Sequence, residues 1–357
     1  MPSKDALGPL VMEPRLVAKP WGGRRLAGYG INLPADGLVG EALLTVGTAM
    51  VRDGPAAGRT LAEIVAADPL GSIGRRGLDV VGGRPLFPLL IKLIDATANL
   101  SIQVHPGAGS TADALGKTEA WYILAAEPGA LLYAGLRRDT DVEAFATACA
   151  RADGEAAAHL RQIRAAPGST LLIPAGTAHA IGAGVVLYEI QQPFDLTLRL
   201  DDWGRRDASG ATRELQLKEG LAALTPESRP EAIEAVVLDA PARQCHLLIA
   251  FRFFALERIA LVEGEQVDLT VEKGITPQVL TSIQGAGAVR AGGREVALRR
   301  DAAVVLLAGC GAATLAATEE LVALRAWVPE LATDIAVPAR RSGVKEAAAA
   351  GQGGART

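Results

Sequence analysis

The chain is poor in the residues that usually mark an oxidising compartment or a nucleic-acid partner. It has 3 cysteines in 357 residues, Cys149, Cys245 and Cys310, widely spaced and odd in number. None belongs to a C-x-x-C pair, which excludes a disulfide framework and points to free thiols in a reducing compartment. No block of basic residues occurs, and with 36 Lys+Arg against 40 Asp+Glu the net charge is −4. That balance argues against a nucleic acid as partner. The longest apolar run, 302–317, is shorter than a membrane span and carries two glycines, so it reads as two buried strands joined by a turn. The first sixteen residues have no long apolar segment and are broken by prolines, so no signal peptide is expected and the location reads as cytoplasmic. Histidine is scarce too: there are 4, His105, His159, His179 and His246.

What is present is a globular, turn-rich composition. It is 49% hydrophobic and 21% charged, with 40 glycines and 20 prolines, and 357 residues are enough for two domains. The segment that organises the rest is LSIQVHPGAGSTADALGKTEAW, residues 100–121. A short strand there places Gln103 and His105 two apart, hence on one face. Pro106 ends the pairing because it has no N–H to donate. The chain then re-enters with Gly116-Lys117-Thr118-Glu119. Downstream, Ile173-Pro174-Ala175-Gly176-Thr177-Ala178-His179 turns and delivers a second histidine at the start of another strand. Gln103, His105, Glu119 and His179 form an N/O donor set, which suits zinc, iron, nickel or manganese. A lone strand histidine is more often a satisfied core residue; here two of the four histidines sit beside prolines and glycines and belong to a longer pattern.

Periodicity fills in the surroundings. Residues 15–17 read as a possible first strand after an irregular lead-in, and Lys19 to Gly23 as a turn holding Trp21. Thr60 with Glu63 has the signature of a capped helix start, ending by Pro69. Residues 87–95 read as a buried strand with Lys92 as an outlier, either snorkelling to water or aimed into a pocket. A helix is expected over 139–159 and another over 213–225. Residues 195–201 alternate polar and apolar as a half-buried strand. Its polar face, Asp195, Thr197, Arg199 and Asp201, belongs either to water or to a barrel interior. From about 240 short strands repeat at the spacing of an all-β sandwich or jelly roll, with His246 as the sole histidine. The stretch from Pro329 to Thr357 lacks periodicity and reads as a disordered tail.

Several separate motifs in one order now carry a resemblance: KPWGG, PLFPLLIKLIDATANLSIQVHP, GKTEAWYIL and LIPAGTAHAIGAGVVLYEIQQPFDLTLRLDDW. Together they resemble type I phosphomannose isomerase in its shorter bacterial form, from about residue 14 to 225, with a weaker likeness of strand layout to about 328. The resemblance implies a mainly β fold of two cupin-type jelly-roll barrels, with a few helices inserted in or flanking the first. The division it suggests is a catalytic domain over 1–228, a metal-free cupin-like domain over 229–328 and a tail over 329–357. It implies one Zn2+ per chain, with the metal ligands falling on Gln103, His105, Glu119 and His179. The essential arginine of the family falls on Arg199. Lys117 matches its Gly-Lys-Thr-Glu lysine and Glu189 the acid of its Glu-Ile-Gln-Gln strand.

The implied activity interconverts mannose 6-phosphate and fructose 6-phosphate by proton transfer through an enediol. Arg199, Glu189 and Lys117 are the expected catalytic residues, and Trp21, Lys92 and Lys117 the expected substrate contacts. The expected partner is a small sugar phosphate, with no nucleic acid or membrane, and the chain acting as a monomer or homodimer. The rim departs from the family pattern. Gly107 and Ala108 replace acidic residues, Gly40-Glu41-Ala42-Leu43 replaces Gly-Glu-Ser-Trp, Leu198 replaces a tyrosine and Gln216 a histidine. Those changes leave open an isomerase of another sugar or sugar phosphate, a metal-dependent dioxygenase, or a non-catalytic zinc-containing sugar-binding cupin.

Overall fold

The structure, a computed structural model, describes residues 7–109, 115–206, 209–237 and 245–338. In chain order the first half holds β1 (Leu10–Met12), β2 (Arg15–Val17), β3 (Glu41–Leu43), α1 (Leu61–Ala67), α2 (Pro69–Val80), β4 (Leu90–Ala96) and β5 (Ile102–Val104). It continues with β6 (Glu119–Ala126), β7 (Leu131–Leu136), α3 (Val142–Arg151), β8 (Leu160–Arg164), β9 (Thr170–Ile173) and β10 (His179–Ile181). Then come β11 (Val185–Gln191), β12 (Leu198–Asp201), α4 (Leu217–Ala222) and β13 (Ala232–Ile233). The second half is mostly strand: β14 (Cys245–Phe251), β15 (Phe254–Leu261), β16 (Gln266–Asp268), β17 (Gln278–Gln284) and β18 (Gly287–Ala291). It closes with β19 (Arg294–Leu298), β20 (Ala303–Leu306), β21 (Ala313–Ala317) and β22 (Leu321–Trp327). The fold is mainly β with few helices, as expected.

Four sheets stack in layers. A seven-stranded sheet, β13-β9-β6-β11-β4-β3-β2, faces a five-stranded one, β12-β5-β10-β7-β8. Between them lies a core of Trp21, Ile94, Trp121, Ile123, Ile173, Ile181 and Leu187. Because side chains alternate, the far face of the five-stranded sheet presents Ile102, Val104, Leu198 and Leu200, which pack on α3 through Phe145 and Cys149. The far face of the seven-stranded sheet presents Ile91, Leu93, Tyr122, Tyr188 and Ile190. These pack on Leu248, Phe254, Leu256, Val279 and Leu324 of the second half. There a six-stranded sheet, β1-β20-β17-β22-β15-β14, covers a four-stranded one, β16-β21-β18-β19. The two halves thus share one continuous core, and the layer between the first two sheets is covered on both sides.

Several expectations need correction. The lead-in is not irregular: Leu10, Val11 and Met12 pair with Val305, Val304 and Ala303 and form the edge strand of the second half's sheet. A division at 228 therefore cuts through that sheet. Burying Leu10 and Met12 on the shared core draws the segment there. The capping box at Thr60 and Glu63 is present, but Pro69 does not simply end that helix. It opens α2 at the first helical position, capped by Asp68, where its missing N–H costs nothing. α2 is kinked at Gly74 (φ +69°), where a Cβ would overlap the Ile275 carbonyl. Arg75 and Arg76 then donate their N–H groups to the Gly274 and Ile275 carbonyls, stitching helix to second barrel.

The helix expected over 139–159 stops at Arg151, because Ala152 turns left-handed. The one expected over 213–225 shrinks to Leu217–Ala222. The strand expected over 195–201 begins only at Leu198. The tail is not disordered from its start: Leu331–Ala336 is helical, Ile335 is buried, and Asp334 pairs with Arg76 at 2.5 Å. Residues 339–357 of that expected tail lie outside the described residues. No helix among the described residues is long and apolar enough to cross a membrane.

Candidate active site and metal centre

Strand register assembles the site. His179 of β10 stands opposite Gln103 of β5. Across the pocket, β6 carries Glu119 and Trp121 on one face, and β11 sets Gln191 opposite Glu119 and Glu189 opposite Trp121. Lys92 of β4 lies opposite Glu189 on its other side. The loop after β5 and the loop before β6 are tied together by Lys117 N–H donating to the Pro106 carbonyl at 3.2 Å. Gln192 fixes the same loop, accepting from Thr118 N–H at 2.9 Å and donating to the Leu115 carbonyl at 2.8 Å. The His179 turn needs Gly176 at φ +86°, with its N–H on the His105 carbonyl at 2.8 Å.

His105, Glu119 and His179 converge, with their ligand atoms all within 4.8 Å of one another. Each side chain is 1% exposed. His105 sets Nδ1 at 2.9 Å from the Leu196 carbonyl and His179 sets Nδ1 at 2.8 Å from the Thr177 carbonyl. Those bonds place the proton on Nδ1 and turn each Nε2 lone pair inward. Burial lowers both imidazole pKa values, that of His179 to about 3, so both rings are neutral. Their Nε2 atoms nevertheless face the Glu119 carboxylate at 3.2 and 3.4 Å. Lone pairs turned onto a carboxylate repel unless a cation lies among them, a place the Lys117 ammonium fills only beside His105, 3.0 Å from its Nε2. Glu119 Oε2 is also buried and, apart from its ion pair with Lys117, has no hydrogen bond. The donor set and these two features fit a divalent metal ion. Gln103 stands beside it, with Nε2 3.2 Å from His179 Nε2 and 3.5 Å from His105 Nε2, and Oε1 accepting from Ser101. A half-turn of the amide would present oxygen instead.

A second group surrounds Glu189. Lys92 Nζ lies 3.2 Å from Glu189 Oε1 and 3.2 Å from Asp195 Oδ1. Lys117 Nζ lies 3.2 Å from Glu119 Oε2, 3.5 Å from Asp195 Oδ1 and 3.0 Å from His105 Nε2. Burial and then the charge of Glu119 push the Glu189 carboxyl up to about 7, against the two lysines. Burial works against the Lys92 ammonium, but Glu189 and Asp195 outweigh it and hold its pKa above the ordinary value. Asp195, half-exposed, is pulled down to about 2: burial raises it, but Lys92 and Lys117 prevail. Lys92 therefore turns its ammonium to Glu189 and Asp195 rather than to water.

Arg199 lies opposite Gln103 on β12. Its N–H donates to Gln216 Oε1 at 3.1 Å, its guanidinium to the Glu214 carbonyl at 3.3 Å, and its buried Nε has no hydrogen-bond partner. Asp201 does not share that face. The register shifts between the two residues, and Asp201 accepts instead from Gly154 and Trp203 N–H groups. Trp21, 4% exposed, packs in the apolar cluster with Trp121. Trp121 was not singled out in the sequence, although its place two residues after Glu119 puts it on the same strand face. Its indole N–H donates to Glu119 Oε1 and Glu189 Oε2, each at 3.1 Å. Gln192 also escaped notice, because its partners are more than 70 residues away.

No family model matches the chain. Among curated proteins, the mannose-6-phosphate isomerase ManA of Bacillus subtilis is 36% identical over 233 residues, 62% of this chain and 70% of that protein. The mannose-6-phosphate isomerase of Streptococcus mutans is 29% identical over 307 residues, 84% of this chain and 92% of that one. Among solved structures, mannose 6-phosphate isomerase from Bacillus subtilis superposes with a TM-score of 0.75 at 25% identity, covering 90% of this chain and 99% of that one. The identity and the shared architecture place this chain in the mannose-6-phosphate isomerase family of type I, whose members are isomerases built on the cupin fold.

Proposed function

We propose that the protein interconverts mannose 6-phosphate and fructose 6-phosphate, moving one proton between adjacent carbons through an enediol. One observation carries the reading. A neutral two-histidine, one-carboxylate set shares a buried pocket with a second carboxylate whose pKa is raised to about 7. The first suits a Lewis acid and the second a proton carrier. The metal we assign is one zinc per chain, held by His105, Glu119 and His179 with Gln103 beside them. When bound, it supplies electrophilic stabilisation of the oxygen on which charge develops.

The chain's own groups do the rest. Glu189 takes the carbon-bound proton on one carbon and returns it to the next. A pKa near neutrality lets it hold and release that proton in the same turnover. Lys92 pairs with its Oε1 at 3.2 Å. Lys117 and Lys92 offer ammonium groups to an anionic substrate, and both already bridge to the half-exposed Asp195 at the rim. Arg199 brings a planar fork of donors to the developing oxyanion or the phosphate. Trp21 closes the apolar side. The partner is a small sugar phosphate in the cytoplasm, with the chain acting as a monomer or homodimer.

The test couples fructose 6-phosphate formation to a dehydrogenase readout, on protein whose metal content is measured in parallel. Turnover of mannose 6-phosphate with about one zinc per chain is expected. Zinc-loaded protein that isomerises another sugar phosphate instead would overturn the substrate. Zinc-loaded protein that turns over none would favour a binding role.

A further inference from the structure

Trp121 takes no part in the chemistry above, yet it lies at its centre. The ring is fully buried. It meets the His179 ring edge-on, with centroids 5.5 Å apart at 68°. Its N–H is shared between Glu119 Oε1 and Glu189 Oε2 at 3.1 Å each, which keeps those two oxygens within about 6 Å of one another. Strand geometry alone arranges this, since Trp121 follows Glu119 by two residues and stands opposite Glu189.

Two buried carboxylates at that range repel. Each is also drawn away by a lysine: Glu119 Oε2 by Lys117 and Glu189 Oε1 by Lys92, both at 3.2 Å. Among the described residues, the Trp121 N–H is the hydrogen-bond donor that touches both carboxylates. The indole suits this place for a chemical reason. It is a donor only, carries no charge, does not titrate and does not ligate a metal. An arginine would add a cation to the two lysines, and a histidine would compete for the metal.

We propose that Trp121 is a positioning residue, tethering the proton-carrying carboxylate of Glu189 to the metal-ligand carboxylate of Glu119. The proposal rests on the function given above. Without the tether, substrate still reaches the lysines and Arg199, but Glu189 is no longer held at the reacting carbon. Loss is therefore expected in kcat and not in KM.

Two full-length variants test it. Trp121→Phe keeps a buried ring and removes the donor. Replacing Trp121 by β-(3-benzothienyl)alanine keeps the bicyclic shape and puts sulfur where the N–H was. In the benzothienyl protein we expect unchanged zinc stoichiometry, kcat lower by roughly 10- to 100-fold and KM within about twofold, with Trp121→Phe matching it if it folds. In cobalt(II)-substituted protein the visible absorption bands should shift, because the Glu119 carboxylate has lost a donor. A benzothienyl protein with wild-type kcat and wild-type cobalt bands overturns the proposal. So does a kcat loss that follows metal loss one for one, which would make Trp121 a packing residue. If the unmodified protein does not isomerise mannose 6-phosphate, the function above fails, and the cobalt bands then decide the tether alone: a shift supports it and no shift overturns it.

Discussion

Gln103 and Arg199 stand directly opposite each other across β5 and β12, and His179 flanks Gln103 from β10 on the other side. Opposed residues of antiparallel strands point to one face. The arginine is therefore one strand removed from the metal set, on the pocket side, while Leu198 and Leu200 turn to the helical layer. Arg199→Ala should keep fold and metal but lose roughly 10²-fold in turnover, the scale of removing one preorganised donor. Arg199→Lys should recover part of that, because an ammonium cannot reproduce the planar fork. A metal-loaded Arg199→Ala protein with near wild-type turnover would show that the arginine has no part in the reaction.

Glu189 predicts a pH dependence. Its pKa is raised from 4.5 to about 7, so it is protonated below that value and cannot accept a proton there. kcat/KM should rise about tenfold per pH unit at low pH and level off at or somewhat below pH 7, since a bound cation favours the ionised form. Glu189→Gln should lose about 10²- to 10⁴-fold in kcat and lose this limb as well. The same limb persisting in Glu189→Gln would assign it to another group.

Gly176 is held left-handed in the turn that delivers His179, and a Cβ there would overlap Thr225 Oγ1. Gly176→Ala should cost about 1–2 kcal/mol for the backbone conformation alone, and more for the overlap. Because its N–H holds the His105 carbonyl, metal affinity should fall as well as stability. Thermal unfolding with and without added zinc separates the two effects.

The second barrel is expected to be structural. His246 lies on β14 opposite Arg258, and the metal-capable group found among the described residues is His105, Glu119 and His179. His246→Ala should leave metal content and turnover unchanged. Loss of the metal on that substitution would place chemistry in the second half.

Much of the candidate ligand set was legible because it is local. A two-residue strand period, a proline that ends pairing and a Pro-x-Gly turn act over a few residues, and they set His105, Glu119 and His179 in their places. The strands of the second half were legible for the same reason, their turn residues recurring at short intervals. Helix lengths were less so: the periodicity over 139–159 runs through Ala152, where the structure breaks it. There Gly154 turns left-handed and packs against Trp203, some fifty residues on.

The sequence by itself determined which residues are candidates for the chemistry and, for most of them, which strand faces they share, since both follow from residue type and from the local backbone period. Only the tertiary structure decided which strands pair and in what register. That choice turned Lys92 inward, brought Arg199 beside Gln103 and freed Asp201 for a structural task. It also hung Glu119 and Glu189 on one indole N–H, and gave the first strand of the chain to the sheet of the last barrel. Each depends on partners far along the chain, selected by burial of apolar faces that no local pattern encodes.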